Sequence, residues 1–258
     1  MPEYPVLVKK EGAVASLVLN RPKVMNAVNV ETMKSLWTSF ERLSSENSVR
    51  VIIIEGAGDN FCAGADMALL SENYDSSRWY CFMKNYVSRL ILAMRTASQP
   101  IICKVRGNAY GFGVGLALAG DFVIAAEDAR FCESFVNIGV TLDGGSSYFL
   151  PRLVGMARAR EIALLGGVIN GKDAASIGLI YRAVPTNSLN EETIALSQSL
   201  LRKSGKALAN IKEAIEGSFQ RSPEEALEWE ASHQAIFLNS EELKAAVRQF
   251  LKEKGDGK

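Results

Sequence analysis

The stretch GAGDNFCAGADM at residues 56–67 decides how the rest of the chain is organised. It follows a β-branched run at residues 51–54 that is typical of a buried strand, and its glycines permit a tight turn into a helix. The small residues Ala63, Gly64 and Ala65 leave main-chain N–H groups uncovered where the helix begins. The positive end of the helix dipole favours an anion there. We call residues 56–67 the first donor loop.

A second stretch, GNAYGFGVG at residues 107–115, repeats this pattern, and we call it the second donor loop. It follows the apolar run at residues 101–105 and opens a helix of small residues over 114–119. Taken alone, a glycine-rich turn after a strand is usually only a turn. If the two loops meet at one carbonyl oxygen, however, their N–H groups form an oxyanion hole, and the rest of the chain serves to build it.

The bulk composition is that of an ordinary globular protein. The 29 basic and 29 acidic side chains cancel, which gives no reason to expect a nucleic-acid partner. Four cysteines without a CxxC pair indicate reduced thiols in a cytoplasmic protein, and we expect neither a leader segment nor a membrane span. Because His233 is the only histidine, a metal site or a Ser-His-Asp triad is hard to assemble, and we expect no metal and no redox cofactor.

The spacing of apolar residues predicts an α/β protein whose C-terminal part is helical. A hairpin over residues 6–19 interrupts the strand–helix alternation of a doubly wound sheet. Before Pro151, further helices and strands are predicted over 30–43, 51–55, 79–94, 101–105 and 122–126. After Pro151 strand patterns nearly vanish, and helices are predicted over 157–165, 172–177, 191–201, 206–219, 223–237 and 241–252. We place a core at residues 1–195 and a C-terminal helical region at residues 196–258.

Five stretches, in order along the chain, resemble the crotonase (enoyl-CoA hydratase/isomerase) superfamily. They are LNRPKVMNAV at 19–28, FCAGADM at 61–67, GNAYGFGVGLALAGD at 107–121, NIGVTLDGGSSYFLPRLVG at 137–155 and GLIYRAVP at 178–185. The resemblance implies a crotonase-like spiral of ββα units with a C-terminal all-helical trimerisation region. It also implies a homotrimer or a dimer of trimers, and an acyl-CoA thioester in which coenzyme A is part of the substrate.

By the same resemblance, the N–H groups of Ala65 and Phe112 are the oxyanion donors, and they would stabilise a thioester enolate. Hydratases of the superfamily hold their water between two glutamates, and the matching positions here are Gly115 and Phe135. Asp143 lies where isomerases and related members carry an acidic base. Its apolar neighbours would raise its pKa by desolvation. The alternative is that Asp143 only caps the helix that starts near residue 145.

Four residues are candidates for lining the acyl pocket: Tyr110, Phe135, Leu142 and Glu133. If a strand runs over residues 130–135, Glu133 points to the same side as Phe135 and reaches the pocket. A solvated or structural Glu133 is nevertheless the favoured interpretation. Tyr148 and Trp79 are further candidates, although aromatic packing in the core explains them and Tyr110 equally well.

The resemblance also implies contacts with coenzyme A. Its adenosine and phosphate end would contact Lys23, Val24 and Met25. Its adenine ring would contact Ala63, Asp66 and Met67. Lys252 or Lys254 in the final helix would meet the 3′-phosphate, from the same or a neighbouring subunit. The alternative, that Lys23 and Lys252 are exposed to solvent and bind no ligand, explains their presence equally well.

We therefore predict an enoyl-CoA isomerase in which Asp143 removes a proton from one carbon and returns it to another. One carboxylate suits this task, whereas hydration needs an acid and a base around a water molecule. The alternatives are a 2-enoyl-CoA hydratase, a ring-opened or alicyclic acyl-CoA isomerase, a dehalogenase with Asp143 as nucleophile, and a non-catalytic acyl-CoA-binding protein. The dehalogenase would carry a tryptophan where this chain has Phe135.

Overall fold

A computed structural model describes residues 4–255, with their side chains except at position 249 and positions 252–255. The strands within this range are β1 (Val6–Glu11), β2 (Val14–Leu19), β3 (Val51–Gly56), β4 (Ile101–Val105), β5 (Asn108–Tyr110), β6 (Phe122–Ala126), β7 (Arg130–Cys132), β8 (Val168–Asn170) and β9 (Arg182–Val184). The α-helices are α1 (Val30–Ser45), α2 (Met67–Leu70), α3 (Ser76–Phe82), α4 (Arg89–Thr96), α5 (Phe112–Leu118), α6 (Ser146–Leu165), α7 (Gly171–Ser176), α8 (Leu189–Leu201), α9 (Gly205–Glu216), α10 (Pro223–Leu238) and α11 (Glu241–Gly255).

The main sheet has six strands in the order β1-β2-β3-β4-β6-β9. Strands β1 and β2 form the predicted antiparallel hairpin, and every other neighbouring pair in the sheet is parallel. The β-branched run of β3 is buried, as expected for a strand in the interior of a parallel sheet. Strands β3 and β4 both lead into a donor loop, so the sheet brings the two loops to the same edge.

A smaller sheet of three strands lies in the order β5-β7-β8. Strand β5 belongs to the second donor loop and pairs in parallel with β7, which pairs antiparallel with β8. The expectation that strands nearly vanish after Pro151 was wrong for β8 and β9. Each contains only three residues, which is too short for a two-residue alternation to stand out from the helical pattern around it.

The predicted helices are largely confirmed. Helix α1 begins at the cap residue Asn29, whose side chain accepts a 2.9 Å hydrogen bond from the Thr32 N–H, and it packs against β1, β2 and α4. The long helix predicted over residues 79–94 consists of α3, a π-helical segment at Met83–Ser88 and α4. Helix α8 packs against β3, β4 and β6.

The chain divides between Lys203 and Ser204 into two compact units. The first contains both sheets and helices α1 to α8, and the second contains α9, α10 and α11. The boundary predicted after residue 195 falls within α8. None of the helices described in residues 4–255 is long and apolar enough to cross a membrane.

Candidate active site

The two donor loops are joined by main-chain hydrogen bonds. The Cys62 N–H donates to the Asn108 carbonyl oxygen at 3.0 Å, and the Tyr110 N–H donates to the Cys62 carbonyl oxygen at 2.9 Å. These bonds form a short parallel bridge between Cys62 and Ala109. The loops are therefore held side by side by backbone groups, a geometry that depends little on side-chain identity.

Gly64 permits a close approach of the two loops. Its φ of +88° lies in the left-handed region that favours glycine. A Cβ at this position would lie 2.8 Å from the Tyr110 carbonyl oxygen and 3.7 Å from the Phe112 nitrogen. Any larger residue would push the loops apart. Gly64 thus places its neighbour Ala65 beside the first residue of α5.

The N–H groups of Ala65 and Phe112 donate no hydrogen bond within the described residues. Around Ala65, the Val28 N–H donates to the Gly64 carbonyl oxygen at 2.8 Å, and the Asp66 N–H donates to the Val28 carbonyl oxygen at 2.9 Å. The Ala65 N–H takes no part in this pairing. Phe112 is the first residue of α5, where an N–H has no partner inside the helix. Each of the two N–H groups named from the sequence is therefore available to an acceptor.

Asp143 lies in the loop before α6, and its side chain is free of the capping role. Gly145 is the cap residue of α6, and no side chain caps this helix. The Asp143 main-chain carbonyl oxygen accepts the Ser146 N–H at 3.1 Å, whereas the buried side-chain Oδ1 has no hydrogen-bond partner. The capping alternative is excluded by this geometry.

The Asp143 loop packs directly on the second donor loop. A Cβ at Gly144 would lie 3.3 Å from both the Gly115 Cα and the Phe112 ring, and a Cβ at Gly115 would lie 2.6 Å from the Gly144 carbonyl oxygen. At Gly115, where hydratases carry their first glutamate, the space for a side chain is thus occupied by the main chain of Gly144. Burial is the main reason that the pKa of the Cys62 thiol rises to about 12, and the nearby charge of Asp143 adds to it.

Glu133 is not solvated, so one half of its favoured interpretation was wrong. Strand β7 ends at Cys132 rather than continuing to residue 135, so strand alternation does not set the direction of Glu133. The residue is 0% exposed, and neither side-chain oxygen has a hydrogen-bond partner. It is therefore not solvated, and the Ser146 hydroxyl is close enough to affect its pKa. The signal available in the sequence was its place among the residues Phe131, Cys132 and Phe135, which are all buried.

Both carboxyl groups hold their protons more tightly than usual. Burial raises the pKa of Asp143 to about 7. Burial also raises the pKa of Glu133 to about 7; the nearby Ser146 hydroxyl opposes this rise, and the charge of Asp143 adds to it. Two interacting acids titrate as a pair, so near neutral pH they hold about one proton between them. Such a pair can accept a further proton from a substrate.

The candidates for the acyl pocket differ in their burial and contacts. Phe135 is buried, and its ring lies 3.6 Å from the place where a Cβ on Gly111 would stand, next to Phe112. Tyr110 and Leu142 are half-buried. Tyr148 is half-buried and its ring packs against Phe149. Trp79 is half-buried and its ring packs against Tyr74 and Phe82.

The coenzyme A candidates Lys23, Val24 and Met25 are exposed on a turn beside the first donor loop. The Met25 carbonyl oxygen accepts the Ala63 N–H at 3.0 Å, which joins the two groups of candidates. Together they form a partly apolar surface that leads to Ala65.

Asp66 has a structural role that the sequence did not reveal. Its carboxylate accepts a hydrogen bond from Arg21 at 2.7 Å and caps α2 through the Ala68 N–H at 3.0 Å. Burial alone would raise its pKa, but these hydrogen bonds and the charge of Arg21 lower it. Met67 is exposed, whereas the side chain of Lys252 lies outside the described residues.

No group of three or more His, Cys, Asp or Glu side chains that would hold a metal ion occurs in the described part of the chain. What the site offers is two backbone donors, the buried carboxyl group of Glu133 and the half-buried carboxyl group of Asp143. That combination suits proton transfer next to a carbonyl group.

This arrangement of paired donor loops beside an acidic residue, on a sheet that opens with a hairpin, defines the class of protein as crotonase-like. The chain belongs to the enoyl-CoA hydratase/isomerase family, because the sequence model of that family matches residues 9–258. The predicted α/β fold with a helical C-terminal part is confirmed by solved structures. One is an enoyl-CoA hydratase from Thermobifida fusca in complex with CoA, with a TM-score of 0.85 and 26% identity over 91% of this chain and 93% of that one.

Relatives of similar likeness carry different activities in their names. The 1,2-epoxyphenylacetyl-CoA isomerase of Escherichia coli is 31% identical over 250 residues, which is 95% of each chain. The crotonyl-CoA hydratase of Syntrophomonas wolfei is 32% identical over 251 residues, which is 96% of this chain and 95% of the relative. Overall similarity shows the family, and the choice between reactions depends on the site.

Proposed function

We propose that the protein is an enoyl-CoA isomerase that moves a double bond along an acyl thioester. The observation that carries the proposal is the position of Asp143. Its side chain has a buried and unpartnered Oδ1, and its loop packs on Phe112, which carries one of the two free N–H donors. Backbone fills the position of the first hydratase glutamate, at Gly115.

In the proposed reaction, the thioester oxygen accepts hydrogen bonds from the N–H groups of Ala65 and Phe112. Ionised Asp143 removes a proton from the carbon next to the thioester, and the electron pair moves onto the oxygen as an enolate. Asp143 then returns the proton to the carbon two atoms further along the chain. One double bond is lost and one is formed, and the carboxylate is regenerated.

The energetics of the site support this sequence of steps. Donors fixed by the backbone stabilise the enolate without reorganisation, and losing one such donor typically lowers the rate by about 10²- to 10³-fold. A base with a pKa near the working pH is both ionised often enough to accept a proton and basic enough to hold it. Burial brings the pKa of Asp143 to about 7, which meets that condition.

The substrate class follows from the family and from the surface next to the site. Lys23, Val24 and Met25 form an exposed face beside Ala63 that leads to Ala65, which suits the nucleotide part of coenzyme A. The CoA complex of the relative from Thermobifida fusca supports the same ligand. We further propose a trimer or a dimer of trimers.

The second candidate function is hydration of a 2-enoyl-CoA. One observation favours it: Glu133 supplies a second buried carboxyl group close enough for the charge of Asp143 to raise its pKa. A pair of acids around one water molecule is the arrangement that hydration needs. Against it, neither Glu133 nor Asp143 occupies the position of either hydratase glutamate.

Product analysis distinguishes the two reactions. The purified protein is incubated in deuterium oxide with 3-enoyl-CoA and, separately, with 2-enoyl-CoA, both of medium chain length. The products are separated, and their masses are measured by mass spectrometry. We expect a new position of the double bond without added water. Formation of 3-hydroxyacyl-CoA as the main product would instead establish the hydratase. Binding of coenzyme A without turnover of any acyl thioester would support a non-catalytic binding protein.

A further inference from the structure

Glu133 is the one buried carboxyl group among the described residues that the proposed reaction leaves unused. It is 0% exposed, and both of its side-chain oxygens lack a hydrogen-bond partner. A buried polar group without a partner destabilises a fold, so its presence calls for a reason. An ionised carboxylate would be more unfavourable still, and a protonated Glu133 with one O–H to donate is the form that suits this place.

The surroundings of Glu133 offer an acceptor for that O–H. Asp143 acts on Glu133 through its charge, and its own buried Oδ1 has no hydrogen-bond partner. The buried Ser146 hydroxyl lies close enough to Glu133 to oppose the rise in its pKa, although it forms no hydrogen bond of ordinary geometry. The Ser146 N–H donates to the Asp143 main-chain carbonyl oxygen at 3.1 Å, so Ser146 links the segments that carry the two acids. A proton on one carboxyl group and a free lone pair on the other are complementary.

No positive charge neutralises the pair, because neither carboxyl group forms an ion pair within residues 4–255. The titratable groups near the two acids are Cys62, beside Asp143, and Cys132, beside Glu133, and Arg130 lies near Cys132. Burial raises the pKa of both thiols, and the Cys132 thiol donates to the Gly166 carbonyl oxygen at 3.3 Å. Both thiols are therefore neutral around pH 7, and Arg130 is exposed.

We propose that Glu133 is a positioning residue that shares one proton with Asp143 and donates it as a hydrogen bond to the ionised Asp143 carboxylate. The proposal rests on the proposed function in taking Asp143 as the base. When Asp143 accepts the substrate proton, both acids are neutral. When Asp143 returns that proton, the singly protonated pair is restored, and the proton of Glu133 never enters the substrate.

The shared proton makes a specific prediction for the pH dependence of kcat/KM. Falling pH protonates both acids and removes the base, whereas rising pH ionises both acids and removes the hydrogen bond. We expect a bell-shaped profile for the wild type. In Glu133→Gln the amide N–H donates in place of the acid and cannot ionise, so the alkaline fall should disappear while the acidic fall remains.

A second variant separates this role from a merely structural one. Glu133→Leu lacks a donor and should lower kcat/KM by about 10- to 100-fold, whereas Glu133→Gln should stay within about tenfold of the wild type at its optimum. The matched control is Glu127→Gln, the same substitution at an exposed residue in the turn between β6 and β7. The control should leave the pH profile unchanged. An alkaline fall that persists in Glu133→Gln would contradict the proposal.

A measurement without substrate tests the shared proton directly. The wild type is labelled with ¹³C at its glutamate side-chain carboxyl groups, and the Glu133 resonance is identified by its absence in Glu133→Gln. We expect this resonance to titrate near neutral pH, and to titrate at lower pH in Asp143→Asn, which lacks the neighbouring charge. Titration of Glu133 in the ordinary range of glutamate, or titration that Asp143→Asn does not change, would overturn the proposal.

The two readouts keep this proposal separate from the proposed function. If neither isomerisation nor hydration is found but the coupled titration is, the proposed function fails and the shared proton stands. If isomerisation depends on Asp143 while Glu133 titrates independently, the proposed function stands and the role of Glu133 fails.

Discussion

At the scale of single residues, the site combines hydrogen-bond donors that lack an acceptor with carboxyl groups that lack a donor. The N–H groups of Ala65 and Phe112 have no acceptor among the described residues, and the carboxyl groups of Asp143 and Glu133 have no donor there. Buried polar groups are nearly always paired in folded proteins. Their presence in neighbouring segments supports the proposed active site.

Glu133 makes the stability of the protein depend on pH. Burial raises its pKa from 4.5 to about 7, so the folded protein binds more protons than the unfolded chain between these values. Its contribution to stability is therefore present at low pH and is lost as the pH rises through this window, by about 3 kcal/mol in total. We expect Glu133→Gln to raise the melting temperature over that of the wild type much more at pH 8 than at pH 5.

Thermal unfolding followed by circular dichroism at both pH values measures this difference. Glu127→Gln serves as the control and should shift the melting temperature equally at the two pH values. A Glu133→Gln effect that does not change with pH would mean that Glu133 is ionised in the folded protein at no penalty.

The donor at Phe112 can be removed without breaking α5, because proline is well tolerated at the first position of a helix. Phe112→Pro and Phe112→Val both remove the ring, but only proline removes the N–H. We expect kcat/KM of Phe112→Pro to be lower than that of Phe112→Val by about 10²- to 10³-fold. Equal activity of the two folded variants would show that this N–H does not bind the thioester oxygen.

At the scale of elements, the site is made by close approach of backbone segments. The two donor loops meet at Gly64, and the Asp143 loop meets α5 at Gly115 and Gly144. These contacts leave no room for a Cβ, so small residues at the ends of strands and helices set the positions of the chemical groups. The absence of a glutamate at Gly115 follows from the same packing.

Gly115→Ala tests this packing. Its new Cβ would lie 2.6 Å from the Gly144 carbonyl oxygen, so the Asp143 loop must move, and we expect a loss of about 1–3 kcal/mol in the free energy of unfolding. Activity should fall with it. Gly167→Ala is the control, because no atom lies within 4 Å of its added Cβ. Chemical denaturation of both variants provides the measurement, and unchanged stability of Gly115→Ala would contradict the packing described.

The sequence predicted the elements that have a long repeating pattern. The hairpin, helix α1 and strand β3 follow from apolar spacing. The roles proposed for Ala65, Phe112 and Asp143 come from the resemblance and stay predictions. Strands β8 and β9 were missed because three residues carry too little pattern. The burial of Glu133 was missed because a glutamate without an evident partner is usually solvated, and its depth is set by contacts between segments distant in sequence.

At the scale of the whole molecule, the second unit exposes apolar side chains that suit contact with other subunits. Ile211, Ile215 and Phe219 recur at four-residue intervals in and just after α9, and each is more than half exposed. An apolar stripe of this kind marks an interaction surface. It supports the proposed trimer or dimer of trimers.

Ile215→Glu tests the assembly. We expect the wild type to sediment as a trimer or hexamer and Ile215→Glu to shift towards smaller species, because a charge would have to be buried at the subunit contact. Lys206→Glu changes an exposed charge in the same helix and is the control. Analytical ultracentrifugation at several concentrations measures the result. A monomeric wild type would contradict the proposed assembly.

The most direct measurement of the central claim is the rate of double-bond migration in 3-enoyl-CoA by Asp143→Asn beside the wild type, with coenzyme A binding measured by calorimetry in both. If Asp143 is the base, kcat/KM should fall by about 10²- to 10⁴-fold while coenzyme A binding is retained. An Asp143→Asn variant that isomerises the substrate within a few-fold of the wild-type rate would contradict the claim and move the search for the base to Glu133.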